Sequence, residues 1–167
     1  MTTPHHYLVE LDWQGDPAVG TLDYRAYSRN HVIRTPGKPD LLGSSDPTFR
    51  GDVSRHNPEE LLVAALSSCH MLSYLHLCAV RGVRVVGYHD RAEGTMETER
   101  GESGHFTQVT LHPHVVVAAG DPEVARSLHE EAHRNCFIAS SVNFPVRHEP
   151  TMEQVERDPA ASEGAGG

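Results

Sequence analysis

Hydrophobic and polar positions change their period several times along the chain, and each change marks an element. Residues 7–13, Tyr7-Leu8-Val9-Glu10-Leu11-Asp12-Trp13, alternate as a half-buried strand does, and the pattern breaks at Gly15-Asp16-Pro17. Residues 21–27 and 31–35 follow as short β-rich pieces, and Pro36-Gly37-Lys38-Pro39 and Gly43-Ser44-Ser45-Asp46-Pro47 supply turn chemistry. At Asn57 the period changes. Asparagine is a good N-cap, Pro58 fits the first helical position, and Glu60 stands three residues after the cap, as in a capping box. The run from Leu61 to Val80 has no glycine or proline, and Gly82 sits where a helix stops. The pattern predicts a helix of about 20 residues, apolar over most of its circumference and largely buried. Residues 83–96 and 106–118 read as strands, with a glycine-rich turn near Gly101 and Gly104. Asp121-Pro122-Glu123 repeats the cap-then-proline signal and opens a second helix over 122–135, with Val124, Ala125, Leu128 and Ala132 on one face. Residues 142–152 read as a last strand, which Pro145 assigns to an edge or a bulge. Strands, long helix, strands, helix and strand make an α+β arrangement.

Composition narrows the picture. The 167 residues suit a single domain over 1–157, and 38% of them are hydrophobic, a little low for a compact globule. From about Glu153 the chain turns polar and small, and its last residues, 158–167, read as a flexible tail. Fourteen basic residues against 23 acidic give a net charge of −9, which argues against nucleic acid as a partner. No apolar run approaches the roughly 20 residues of a bilayer span, so no membrane partner is expected. Met1-Thr2-Thr3-Pro4-His5-His6 lacks the basic-then-apolar pattern of a signal peptide, so the expected location is cytoplasmic. Three cysteines is an odd count, which points to thiol chemistry, metal binding or plain burial rather than a disulfide framework.

Two motifs carry a family resemblance. Asn57-Pro58-Glu59-Glu60-Leu61-Leu62 followed by Ala64-Ala65-Leu66-Ser67-Ser68-Cys69-His70 resembles the first-cysteine helix of the OsmC and organic-hydroperoxide-resistance family. Ala132-His133-Arg134-Asn135-Cys136-Phe137-Ile138-Ala139-Ser140-Ser141-Val142 is similar to its second-cysteine segment. The resemblance extends over residues 7–152. It implies an intertwined homodimer in which strands of both chains build two antiparallel sheets around long central helices. It also implies a peroxidase that reduces organic hydroperoxides and hydrogen peroxide with a cysteine pair, at sites on the subunit interface. No cofactor or metal is implied. The expected reductant is an external dithiol such as dihydrolipoamide, or a lipoylated protein.

Under this resemblance Cys69 is the attacking thiol and Cys136 its resolving partner. The chemistry demands a thiolate, and burial in mid-helix opposes one, so a cation must lie near Cys69. Oxidation by a peroxide leaves a sulfenic acid that a second thiol can capture, provided the two Cα atoms come within roughly 4.4–6.8 Å. Cys78 lies about 13.5 Å along the helix from Cys69 and reads as core. Glu59 matches the family's glutamate but stands about 15 Å along the helix from Cys69, so it is expected to serve the partner subunit's thiol or only the helix N-terminus. Arg50 is the first candidate for the activating cation, with Arg29 as the alternative. His70, next to Cys69, and His76 depart from the family pattern. They read either as groups that assist the thiolate or the leaving alkoxide, or as satisfied core histidines. Two other functions stay open. His129 and His133, four apart on a helix face with Cys136 a turn further on, could bind a metal. The chain could also be a redox-silent binding module.

Overall fold

The computed structural model describes residues 2–99 and 103–155. Of the turn expected near Gly101 and Gly104, Gly101 lies outside the described residues, as does the tail expected over 158–167, whereas Gly104 belongs to a strand and pairs with Thr98. By internal packing the chain forms two compact units, one up to Leu62 and one from Val63 onward.

In the first unit, β1 (Glu10–Trp13), β2 (His31–Arg34) and β3 (Leu41–Gly43) form an antiparallel sheet in that order. Residues 21–27, expected as a strand, are turns. The Asp23 carboxylate accepts the Arg25 amide at 2.8 Å, and its carbonyl accepts the amides of Ala26 and Tyr27 at 3.0 and 3.2 Å. A short polar side chain thus offers the backbone a local alternative to a ladder.

The first helix, α1 (Pro58–Val80), begins where the cap predicted it. The Asn57 side chain accepts from the Glu60 amide at 2.8 Å, and Glu60 Oε2 accepts from the Asn57 amide at 3.3 Å. Replacing Asn57 with alanine is expected to cost about 1 kcal/mol, read as a lower midpoint in urea unfolding. At the other end Gly82 adopts φ 69°, open to glycine at little cost.

From Val63 onward, α1 and α2 (Pro122–Asn135) accompany two three-stranded sheets. The first, in the order β4 (Arg84–Asp90), β7 (Pro113–Ala119), β9 (Thr151–Gln154), joins β4 and β7 antiparallel and β7 and β9 parallel. The second, in the order β5 (Glu93–Glu99), β6 (Ser103–Leu111), β8 (Val146–His148), repeats that scheme. The described sheets of one chain are therefore three, two of them mixed, where two antiparallel sheets were expected. The strand expected over 142–152 divides into β8 and β9 around Pro150, which has no amide for a ladder. Pro145 precedes β8, which is indeed an edge strand. Glu153 and Gln154 pair with Val116 and Val117 rather than fraying, because a ladder needs backbone groups and not apolar side chains.

The core of this unit gathers Tyr74, Leu77 and Cys78 of α1, Val115 and Val117 of β7, and Ala125, Leu128 and Ala132 of α2. Only one stripe of α1 is buried, namely Leu66, His70, Tyr74, Leu77 and Cys78. Leu72 and Val80 stay 63% and 66% exposed, so the expectation of a largely buried helix fails within one chain. By length and composition alone α1 is long and apolar enough to cross a membrane, where no apolar run of that length was expected. Beside its buried stripe the half-buried Ser67 makes a polar contact, Oγ to Asp90 Oδ2 at 2.5 Å.

Candidate active site

Cys69 lies half-buried in the middle of α1, and Cys136 is buried at the C-terminal cap of α2. The two thiols are close enough to influence each other's ionisation. Local structure explains the seat of Cys136. Its amide reaches back to the His133 carbonyl at 3.3 Å as the helix ends. A 3₁₀ turn, Ala139–Ser141, then folds over it, with the Ser140 amide and hydroxyl donating to the Cys136 carbonyl at 3.1 and 3.0 Å. The Ala139 amide donates to Sγ at 3.4 Å. Burial pushes the Cys136 thiol up to about 11, and the neighbouring Cys69 thiol pushes the same way, against the smaller pull of the Ala139 amide. Cys136 is therefore a protonated thiol near neutral pH. Cys78, expected as core, is 1% exposed and lies in the core cluster with Tyr74.

The remaining candidates belong to the first unit. Arg29 is occupied there. Its guanidinium donates to the carbonyls of Tyr27 and, at 2.6 Å, Tyr24, and lies 3.6 Å from the Tyr27 ring centroid. Arg50 is exposed, follows the 3₁₀ turn Pro47–Phe49, and holds φ 66°, an uncommon conformation for a residue with a side chain. Its guanidinium carbon is 5.8 Å from the Tyr24 ring centroid. The Asp46 side chain shapes that turn by accepting the Thr48 amide at 2.7 Å. Glu59 Oε2 is buried with no hydrogen-bond partner among the described residues.

A second cluster was only half visible in the sequence. His70 of α1, His129 and His133 of α2 and His148 of β8 form one stack. The His70 ring centroid lies 5.4 Å from those of His129 and His148, and His133 lies 5.4 Å from His148. His70 Nε2 and His129 Nδ1 share a hydrogen bond of 3.1 Å, and Tyr74 stacks on His129 at 3.9 Å. His148 Nε2 meets Glu130 Oε1 at 3.1 Å. Burial, then the charges of His148 and His133, push His70 down to about 4, against Asp90 and Glu130. Burial, then His70 and His148, push His129 down to about 3. Burial also lowers His148 in spite of Glu130, whose side chain is 68% exposed and so well screened. The His148–Glu130 contact is thus a hydrogen bond from a neutral imidazole. His70 is accordingly a core histidine, and His76 is exposed. The spacing of His129 and His133 suggested a metal, but His129 spends Nδ1 on His70. Among the described residues no group of three or more His, Cys, Asp or Glu side chains is arranged to hold one. His148 and Asp90 carried no sequence signal, because strand and turn contacts of this range leave no local period.

Comparison with known proteins agrees with this architecture. An OsmC-like protein of unknown function from Vibrio cholerae is 31% identical, superposes with a TM-score of 0.80, and is matched over 89% of this chain and 100% of its own. An organic hydroperoxide resistance protein from Elizabethkingia anophelis, 15% identical, gives a TM-score of 0.64 over 93% of this chain and 100% of its own. One named OsmC from Legionella pneumophila, 14% identical, gives 0.63 over 91% and 99%. No curated protein matches the chain. The sequence model of the family described as OsmC-like protein matches residues 51–151, a span that holds both cysteine motifs. The chain therefore belongs to the OsmC-like protein family.

Proposed function

We propose that the protein is a cysteine-dependent peroxidase that reduces organic hydroperoxides, and hydrogen peroxide, to alcohols or water. The observation that carries this reading is the meeting of the Cys69 and Cys136 thiols, which come from different helices. Cys69 attacks as the thiolate. An S–O bond forms as the O–O bond breaks, and the alkoxide takes up a proton to leave as ROH. The Cys69 sulfenic acid then condenses with the Cys136 thiol. The S–S bond forms as the S–O bond breaks, and the thiol proton departs with the hydroxyl as water. An external dithiol, dihydrolipoamide or a lipoylated protein, reduces the disulfide by two exchanges and is itself oxidised.

Arg50 is the cation assigned to the thiolate, because the Arg29 guanidinium already serves two carbonyls and a tyrosine ring. Glu59 would orient that cation through a paired hydrogen bond. Two features support a homodimer with the site at its interface: the unpartnered Glu59 oxygen and the exposed apolar side of α1. Three free cysteines are in keeping with a cytoplasmic setting.

Titrating the reduced protein with cumene hydroperoxide, with disulfide mapping at each point, tests the reading. One equivalent should be consumed per chain as a Cys69–Cys136 disulfide accumulates. No such disulfide at any dose would leave a redox-silent OsmC-like binding module. The Cys136→Ser variant is expected to consume a single equivalent and then stall with dithiol present, which a coupled turnover assay reads directly.

A further inference from the structure

The thiol pair depends on α1 and α2 staying together, and two buried hydrogen bonds join these helices: Tyr74 Oη donates to the Ala125 carbonyl at 3.1 Å and, nearer the thiols, a pair of imidazoles meets. His70 follows Cys69 directly on α1, and His129 and His133 occupy the last two turns of α2 before Cys136. The hydrogen bond between His70 Nε2 and His129 Nδ1 requires one nitrogen to donate and the other to accept. His70 Nδ1 is buried without a hydrogen-bond partner among the described residues. A bare acceptor there costs less than an orphaned N–H, so His70 carries its proton on Nε2 and donates to His129. Neither ring then has room for a second proton. On His129 the proton would sit on Nδ1 and face the His70 N–H across 3.1 Å. On His70 it would create a buried N–H with no acceptor. His148 continues the stack toward Glu130 at the surface.

We propose that the His70–His129–His148 stack is a proton-sensitive latch that holds α1, α2 and β8 together and so positions Cys136 against Cys69. The groups facing it are Tyr74 of α1, His133 and Glu130 of α2, and Asp90 of β4. Asp90 and Glu130 favour the charged imidazole, and His133 opposes it. The closed stack resists protonation, as the depressed values of all three histidines require. Once released, each histidine returns to its ordinary value near 6.5, so each pH unit below that favours the open arrangement by up to about tenfold per histidine. These histidines are positioning residues. They act through the thiols' separation, and the consequence for disulfide formation rests on the peroxidase reading.

The experiment follows disulfide formation after a stoichiometric pulse of cumene hydroperoxide, by acid quench and mass spectrometry, in the wild-type protein and in His129→Phe. Phenylalanine keeps the stacking on Tyr74 and cannot titrate. The ionisation of Cys136 itself is common to both proteins and cancels in the ratio. From about pH 7 to about pH 5, the wild-type rate is expected to fall at least about tenfold further than that of the variant. Parallel profiles overturn the latch. Histidine ring NMR of the reduced wild-type protein gives a second reading that needs no variant. His70 and His129 should stay neutral well below their ordinary range and then protonate in one cooperative step, with loss of amide-exchange protection at the end of α2. Separate titrations near 6.5 overturn the proposal. That cooperative step without any disulfide would sink the peroxidase reading and keep the latch, and normal disulfide formation without the step would do the reverse. Stoichiometric zinc in the purified protein, lost in His129→Phe, would overturn the latch in favour of a metal centre.

Discussion

Replacing Cys69 with serine is expected to lower hydroperoxide turnover by about 10³-fold or more, because a serine hydroxyl neither ionises near neutral pH nor accepts oxygen from a peroxide. Serine is close in size to cysteine, and position 69 is half-buried, so the fold should survive the change. The measurement is steady-state peroxide reduction with dihydrolipoamide, checked against circular dichroism. The partner thiol gives the result its specificity. Cys136, whose burial holds its thiol up, remains protonated in Cys69→Ser and makes a poor nucleophile by itself. Full turnover in Cys69→Ser would remove the mechanism altogether.

The second large effect is acid destabilisation. His70 and His129 are held down to about 4 and about 3 in the folded chain, against an ordinary value of 6.5. Between those limits the unfolded chain binds more protons than the folded one, so stability rises with pH. It is fully present above about 6.5 and is lost as pH falls through the window toward about 4. From about pH 7 to about pH 5 the two rings together should remove about 2–4 kcal/mol, with the pair treated as independent. Urea unfolding at a series of pH values reads this directly. A flat profile through that window would show that the imidazoles are not buried as described, and His129→Phe should flatten the wild-type slope by about half.

Both helices were legible in the sequence because their caps are local. Asn57-Pro58 and Asp121-Pro122 announce their starts within four residues, and α2 spans the predicted 122–135. The strands were less legible, and for different reasons. Residues 21–27 have β-rich composition, but the Asp23 carbonyl and carboxylate capture their amides. The division of the last strand hinges on Pro150 and on parallel partners, β6 and β7, distant in sequence. For the candidate site, the motifs located both cysteines, but no spacing rule could bring them together. His129 and His133 were noticed for their separation along one helix. Their actual neighbours arrive from α1 and β8, and periodicity carries no information about packing between elements.

The turn that presents Arg50 has a narrow tolerance. A methyl group at Gly51 would lie 1.5 Å from the Ser45 carbonyl oxygen, which is backbone and cannot swing aside. In a library randomised across positions 45–52 and selected for folded protein, position 51 should return glycine alone, whatever happens to the arginine beside it. That loop can therefore change its chemistry under selection far more freely than it can change its path.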